Sequence, residues 1–213
     1  GRPYGFDIDA EGWLWEAQGA ERLYAHHLPT GAGRLVPLPA SRGSAINQLL
    51  CWQDRLIGII IPEASCYLVY DPRTGRTAFP AIPGALPIVW YAALLPDGRL
   101  ALFDRGEGKI VLLESPEGTP RAVTCPFPGS PATGSIAMGQ LCSDGLLYLP
   151  VRDPARLVRF DPATNRFVDA VPFAQPEAGP AGYFEADGVI YVSDSAAGRL
   201  LPYDLRADRW HDP

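Results

Sequence analysis

The 213-residue chain has few of the residues on which many common functional sites depend. It contains one lysine, Lys109, and three histidines, and its formal charge at pH 7 is −6. An acidic chain without a basic run is a poor binder of phosphate backbones, so we expect no nucleic-acid partner. No apolar run approaches the roughly 20 residues that span a bilayer, so we expect no membrane partner.

The four cysteines form no recognised metal or redox motif. Cys51, Cys66, Cys125 and Cys142 are separated by 15, 59 and 17 residues, and no Cys-x-x-Cys pair occurs. This spacing disfavours a zinc ribbon, a thioredoxin-like redox pair and a small disulfide scaffold. Separate, mostly buried thiols are the simplest interpretation, and unpaired thiols favour a cytoplasmic location. The first residue, Gly1, leaves open whether a leader peptide was removed.

What the chain has in quantity is glycine and proline, 22 and 23 residues, within a composition that is 47% hydrophobic. Such frequent turn residues argue against a helical bundle and favour many short strands around a substantial core. A turn made of an acidic residue, a glycine and then apolar residues recurs about every 43 residues. Its copies are Glu11-Gly12, the degenerate Gln53-Asp54, Asp97-Gly98, Asp144-Gly145 and Asp187-Gly188.

Each copy is followed by a second hairpin, and in three of the five its turn begins with aspartate; Tyr24–Arg34 and Val111–Arg121 are the weakest copies. Leu68–Arg76 matches Leu157–Arg166, and Leu200–Arg209 is a looser third example. In these turns the aspartate side chain accepts bonds from backbone amides two or three residues later, and proline presets the next φ angle. We therefore predict that Asp71 and Asp161 have structural roles.

Four antiparallel strands per 43-residue unit are typical of a propeller blade. The sequence predicts an all-β, single-domain, five-bladed β-propeller, closed by packing of the last blade on the first. A larger ring built from paired chains is the alternative. The predicted blades are 4–38, 46–83, 90–128, 137–174 and 181–213.

Two segments carry a family resemblance. Gly1–Trp15 resembles the blade signature of the streptogramin lyase group and of gluconolactonase/regucalcin proteins, and Ile190–Leu200 is similar to NHL repeats. The resemblance implies a small-molecule enzyme of lyase, isomerase or lactone-hydrolase type. It also implies a divalent cation, Ca²⁺ or Mg²⁺, although the sequence itself specifies no cofactor and Tyr4 stands where a metal ligand is expected. The three histidines align with outer hairpins, away from such a site.

Repeat register predicts a ligand site at one mouth of the central channel. Its candidate ligand-binding residues are Tyr4, Gln48, Trp90, Tyr91, Arg105, Gln140, Arg152, Tyr183 and Asp194, with Glu185 and Asp104 as candidate acid–base catalysts. Aromatic faces supply binding area, and arginines can clamp a carboxylate, so the expected partner is a small, possibly anionic molecule.

Two alternatives to this site remain open from sequence alone. The aromatic side chains can instead fill a narrow channel as core, and the loop charges Asp104, Arg105 and Arg152 can instead pair with one another. The chain would then be a non-catalytic propeller that binds a protein, peptide or glycan on the same face, because propellers host both kinds of function.

Overall fold

The computed structural model describes residues 5–19, 21–39, 45–61, 66–82, 89–104, 109–119, 121–124, 139–152, 155–175 and 180–211. In these ranges the chain is all-β, and none of the described residues forms a helix that could cross a membrane. The strands are β1 (Phe6–Ile8), β2 (Trp13–Gln18), β3 (Arg22–His27), β4 (Gly33–Pro37), β5 (Ala45–Trp52), β6 (Arg55–Ile61), β7 (Tyr67–Tyr70), β8 (Thr77–Ala78), β9 (Val89–Leu94), β10 (Leu100–Asp104), β11 (Lys109–Leu113), β12 (Arg121–Thr124), β13 (Gln140–Leu141), β14 (Leu147–Arg152), β15 (Ala155–Asp161), β16 (Arg166–Pro172), β17 (Pro180–Ala186), β18 (Val189–Asp194), β19 (Arg199–Asp204) and β20 (Arg209–Trp210).

The strands form five separate sheets, each made of four consecutive antiparallel strands. We number the sheets in chain order: sheet 1 is β1–β4, sheet 2 is β5–β8, sheet 3 is β9–β12, sheet 4 is β13–β16 and sheet 5 is β17–β20. One sheet per sequence repeat, with strands in chain order, is the arrangement that the recurring turns predicted.

The acid–glycine turns join the first two strands of each sheet, and their backbone explains the glycine. The glycines of four turns have φ between 76° and 85°: Gly12, Gly98, Gly145 and Gly188. A side chain is disfavoured at such angles, which glycine adopts without steric cost. The degenerate turn of sheet 2 adopts positive φ angles without glycine, since Gln53 and Asp54 have φ angles of 48° and 59°.

The aspartate turns join the last two strands of a sheet, and the predicted structural role of two aspartates is confirmed. The Asp71 carboxylate accepts the backbone N–H of Arg73 at 2.9 Å. The Asp161 carboxylate accepts the backbone N–H of Ala163 at 2.8 Å and the hydroxyl of Thr164 at 2.6 Å. Each carboxylate thus satisfies donors that the reversing chain leaves unpaired.

The core lies between sheets rather than within any one of them. Four hydrophobic clusters each contain side chains from two consecutive sheets, such as Trp15 with Leu56, Ile57 with Leu102, Phe103 with Leu149, and Tyr148 with Tyr203. A middle sheet therefore buries both faces. This explains why its strands are apolar at successive positions, as in Leu56–Ile61.

The first and last sheets differ from the others at their outer faces. No core cluster of described residues joins sheet 5 to sheet 1. Phe6 on sheet 1 is 69% exposed and Phe184 on sheet 5 is 49% exposed. The predicted closure of the ring by packing of the last blade on the first is therefore not found in the described part of the chain.

Candidate functional site

Much of the predicted channel-mouth site lies outside the described residues. Tyr4 and Arg105 belong to ranges that are not described. The backbone of Trp90, Asp104 and Arg152 lies in β9, β10 and β14, but their side chains are not described. The binding of a carboxylate by Arg105 and Arg152, with Asp104 as a catalyst, thus stays a prediction.

The two described aromatic candidates take part in packing between sheets. Tyr91 packs against the core cluster between sheets 3 and 4. The Tyr183 hydroxyl donates to the backbone carbonyl of Tyr148 in sheet 4 at 2.7 Å. Burial raises the pKa of Tyr183 well above its ordinary value, so this phenol stays neutral. Both rings stabilise a sheet boundary.

The two glutamine candidates are half-buried on first strands. The Gln48 side chain forms two bonds with the backbone of Ala92 in sheet 3, donating from Nε2 at 3.0 Å and accepting at Oε1 at 2.7 Å. Gln140 accepts a weak bond at its backbone carbonyl from the thiol of Cys142, with sulfur and oxygen 3.9 Å apart. Gln48 therefore joins sheet 2 to sheet 3.

The two described carboxylate candidates are also bound within the fold. Glu185 accepts the backbone N–H of Ser143 in sheet 4 at 2.8 Å and a short bond from the hydroxyl of the same residue. Asp194 is buried, accepts the backbone N–H of Ala196 at 3.1 Å and lies 3.3 Å from Nε of Arg199. Glu185 thus links two sheets, and Asp194 stabilises the turn between β18 and β19.

Metal ligands and histidines do not converge in the described part of the chain. No group of three or more described His, Cys, Asp or Glu side chains is placed to hold a metal ion. His26 and His27 end β3, and His211 follows β20, so the predicted position of the histidines on outer hairpins is confirmed. The ring of His27 lies 4.8 Å from that of Trp13, and its Nδ1 lies 2.7 Å from the Thr30 hydroxyl.

A cleft of about 620 Å³ lies between sheets 1 and 2, at the edge formed by their turns. Its walls come from the two turns that follow β1 and β5 and from the aspartate turn of sheet 2. The lining includes Asp9, Glu11, Trp13, Arg34, Cys51, Trp52, Asp54, Arg55 and Arg73. Of the described candidates, Asp194 ends β18 at the opposite edge, and Glu185 lies beside the turn after β17, at the boundary of sheets 4 and 5. None of the predicted site residues lines this cleft, so the sequence did not predict it.

Arg34 is one of three arginines that line this cleft, and it contacts two indole rings. Its guanidinium carbon lies 4.6 Å from the ring centre of Trp13 and 5.0 Å from that of Trp15. The Trp15 ring is held in turn by Asp9, which accepts its indole N–H at 2.7 Å. Cation–π contact of this kind fixes the guanidinium plane without using its N–H donors.

The other cleft arginines are paired with carboxylates. Arg55 lies 3.4 Å from Asp71, and Arg73 lies 3.2 Å from Asp54. Within the described residues, Arg34 has no carboxylate at salt-bridge distance. Its guanidinium is thus the described group of the cleft best placed to receive an anion.

The residue that follows the turn after the first strand distinguishes sheet 1 from sheets 2 and 3. Arg99 follows the turn of sheet 3 and donates to the Pro162 carbonyl and to Asn165 in sheet 4, both at 2.6 Å. Arg55, at the same position of sheet 2, reaches Glu117 of sheet 3 at 3.9 Å. Sheet 1 has Trp13 there, so no arginine bridges to the next sheet. Tryptophan at a position where sheets 2 and 3 have arginine was the sequence feature that could have indicated the cleft.

Comparisons with known proteins identify the fold. No protein-family model matches the chain, and no curated protein matches it. Among solved structures, virginiamycin B lyase from Staphylococcus aureus aligns with 98% of this chain and 68% of its own, with 17% identity and a TM-score of 0.77. A catalytically inactive variant of that lyase, solved with quinupristin, aligns with a TM-score of 0.79 at 16% identity.

Other solved structures align over nearly the whole chain as well. BamB from Moraxella catarrhalis aligns with 98% of this chain and 60% of its own, with 17% identity and a TM-score of 0.69. YCF48, solved with a D1 peptide, aligns with 99% of this chain and 66% of its own, with 10% identity and a TM-score of 0.72. The predicted resemblance to the streptogramin lyases is confirmed for the fold, and the chain has the architecture of these propellers.

Proposed function

We propose that the chain forms five consecutive blades of a β-propeller that binds a small anionic molecule in the cleft between sheets 1 and 2. The observation that carries the proposal is the guanidinium of Arg34, held over Trp13 and Trp15 at the cleft wall. A volume of about 620 Å³ fits a small molecule or the side chains of a short peptide.

Binding is favoured over catalysis because Glu185, the acid–base candidate whose side chain is described, is engaged elsewhere, as is the ligand-binding candidate Asp194. Glu185 accepts bonds from Ser143, and Asp194 accepts bonds from its own turn. A general base needs a lone pair directed at a substrate proton, and neither carboxylate is left available for that. The thiol of Cys51 lines the cleft, but burial raises its pKa to about 12, so it is a poor nucleophile at neutral pH.

The chemistry of the cleft favours a carboxylate as the ligand's anionic group. A guanidinium presents parallel N–H donors that match a carboxylate, and a flat indole behind it keeps the fork in one orientation. Asp9, Glu11 and Asp54 also line the cleft, and they would repel a ligand of high negative charge. A single carboxylate beside a neutral or cationic group therefore suits the site best.

Binding can be tested by the fluorescence of the tryptophans in the cleft. The probes are acetate, succinate, citrate and the dipeptide Ala-Glu, titrated into the 213-residue chain. We expect saturable binding of at least one probe, weakened roughly 10–100-fold by Arg34→Ala, as for loss of a charge-assisted hydrogen bond. Arg206→Ala, at an exposed turn position of sheet 5, is the matched control and leaves affinity unchanged. Equal affinity of the Arg34→Ala protein would contradict the assignment.

A second candidate function is a small-molecule enzyme of lyase or hydrolase type at the channel mouth. It is favoured by the likeness to virginiamycin B lyase. Arg105 and Arg152 would then hold a carboxylate, with Trp90 as an aromatic wall and Asp104 as the acid–base group, since Glu185 is bonded to Ser143. Turnover that Asp104→Asn abolishes without loss of binding supports this candidate. Metal analysis that finds stoichiometric Ca²⁺ or Mg²⁺ in the purified chain would show that the metal implied by the family resemblance is bound.

A further inference from the structure

The cleft between sheets 1 and 2 has an unpaired carboxylate in addition to its unpaired cation, Arg34. Glu11 lines the cleft from the turn that follows β1, and it is exposed. Within the described residues, no arginine, lysine or histidine lies at salt-bridge distance from the Glu11 carboxylate. The cleft therefore presents one available charge of each sign to a ligand.

The other charged side chains of the cleft are already engaged. Two of its arginines, Arg55 and Arg73, lie beside carboxylates at 3.4 Å and 3.2 Å. Asp9 accepts the backbone N–H groups of Glu11 at 3.0 Å and Trp13 at 2.9 Å, in addition to the indole N–H described above. These donors occupy the carboxylate lone pairs of Asp9, which therefore adds negative charge to the cleft without offering a ligand a free acceptor.

The backbone of Glu11 is held on both sides. Its N–H donates to Asp9, and its carbonyl oxygen lies 3.2 Å from Nε2 of His27. Neither contact uses the Glu11 carboxylate, so the turn fixes this residue at the cleft and leaves its charge available. Trp13, two residues later, has the Arg34 guanidinium 4.6 Å from its ring centre. One turn of sheet 1 thus determines where both available charges lie.

We propose that the ligand of this cleft is a zwitterion of about dipeptide size, whose carboxylate binds Arg34 and whose ammonium group lies against Glu11. This inference rests on the proposed function and narrows its ligand class. A sphere of 620 Å³ is roughly 10 Å across, and the charged ends of an extended dipeptide are about 6 Å apart. A plain anion would neutralise Arg34 but would be repelled by Glu11 and Asp9, whereas a zwitterion matches both available charges.

The first test compares Ala-Ala with N-acetyl-Ala-Ala, which has the same carboxylate but no ammonium group. Both are titrated into the 213-residue chain at pH 7 and followed by tryptophan fluorescence. We expect Ala-Ala to bind about 2–5-fold more tightly, as for one exposed ion pair. Glu11→Gln should remove this preference. The matched control is Glu21→Gln, because Glu21 is an exposed carboxylate of sheet 1 that does not line the cleft, and this variant should keep the preference.

The second test is a pH series on the unaltered chain. The amino group of a dipeptide loses its proton near pH 8, at about the usual pKa of an α-amino group. The affinity for Ala-Ala should therefore fall to that for N-acetyl-Ala-Ala between pH 6.5 and 9.5. The ratio of the two affinities is the quantity to read, because titration of the protein changes both affinities alike. A ratio that stays constant over this range would contradict a role for the ammonium group.

Failure of this inference can be told apart from failure of the proposed function. If the two dipeptides bind equally and Arg34→Ala weakens both roughly 10–100-fold, the cleft binds a plain carboxylate, so the zwitterion is wrong and the proposed function stands. A preference for Ala-Ala that persists in the Glu11→Gln protein would also overturn the inference, because another group would then hold the ammonium. If Arg34→Ala changes the affinity for neither dipeptide, the proposed function fails and the inference fails with it.

Discussion

Aspartates at the turns show how one residue type is used repeatedly for folding rather than for chemistry. Asp9, Asp71, Asp161 and Asp204 each accept a backbone N–H within the next few residues. These carboxylates lie at the edge of the sheets that also forms the cleft, yet their lone pairs are directed at their own turns. A count of acidic residues would therefore overestimate the number available to a ligand.

The aspartate turns predict a pH-dependent stability. The hydroxyl of Thr164 and the amide N–H of Ala163 lower the pKa of Asp161 in the folded protein. A lowered pKa contributes stability above the unfolded value, and that stability is lost as pH falls through the folded pKa. We expect Asp161→Ala to cost about 1 kcal/mol at pH 7 and little below about pH 3, in urea unfolding. Thr164→Ala should cost less at pH 7, and a loss of stability that does not depend on pH would contradict this role.

The thiols predict low chemical reactivity. Burial, with a contribution from Asp7, raises the pKa of Cys51 to about 12, and burial and Glu185 raise the pKa of Cys142. The thiolate is the reactive form, so both residues should resist iodoacetamide at pH 7.5 in the native protein. Mass spectrometry should show alkylation of both after unfolding in guanidinium chloride. Rapid labelling of native Cys51 would mean that the cleft-side thiol is activated, contrary to this account.

At the level of elements, the sheets are joined by a few polar side chains in addition to the core. Arg159 lies between Asp169 of its own sheet and Asp208 of sheet 5. The indole of Trp52 donates to the Gly98 carbonyl at 2.6 Å, which fixes sheet 2 to the turn of sheet 3. Such bonds fix the relative position of two sheets, which apolar packing alone defines less strictly.

Arg99 offers a test of these links. Its side chain is only 17% exposed and bonds to Asp97, Asn165 and the Pro162 carbonyl. We expect Arg99→Met to lower the free energy of unfolding by about 2 kcal/mol, or roughly 4–8 °C in melting temperature. Arg99→Lys should recover only part of this, because an ammonium lacks the planar fork. The exposed Arg166→Met is the control, and equal effects of the Arg99 and Arg166 changes would contradict the link.

The repeats explain why the elements could be predicted and why the cleft could not. Gly12 and Gly98 mark turns because their φ angles require glycine, so local chemistry identified the strand order. Gln48 and Glu185 were assigned to a ligand site by register alone. Their partners, Ala92 and Ser143, lie 44 and 42 residues away in the adjacent sheets. The sequence pattern indicates which edge a residue occupies, but not which backbone group of the next sheet it meets.

For the whole molecule, the number of blades was predictable and the closure of the ring was not. Each repeat specifies its own four-stranded sheet and the apolar faces that pack against neighbouring sheets. Five copies of the repeat therefore predict five sheets. Closure depends on the angle between successive sheets, which arises from packing across all four boundaries. Leu200 is as apolar as its buried counterpart in sheet 2, Tyr67, so the local sequence does not show that Leu200 is exposed.

This architecture predicts a gradient of local stability that hydrogen exchange can measure. Sheet 3 belongs to two core clusters, whereas sheets 1 and 5 belong to one each. In a row of repeats with nearest-neighbour contacts, the end units open with less free energy than the middle ones. Native-state exchange read by mass spectrometry should show Trp13–Gln18 and Val189–Asp194 exchanging before Leu100–Asp104. The Arg99→Met change should speed exchange at the boundary of sheets 3 and 4 and leave Trp13–Gln18 unaffected. Protection in sheets 1 and 5 as strong as in sheet 3 would instead mean that the two end sheets support each other in solution.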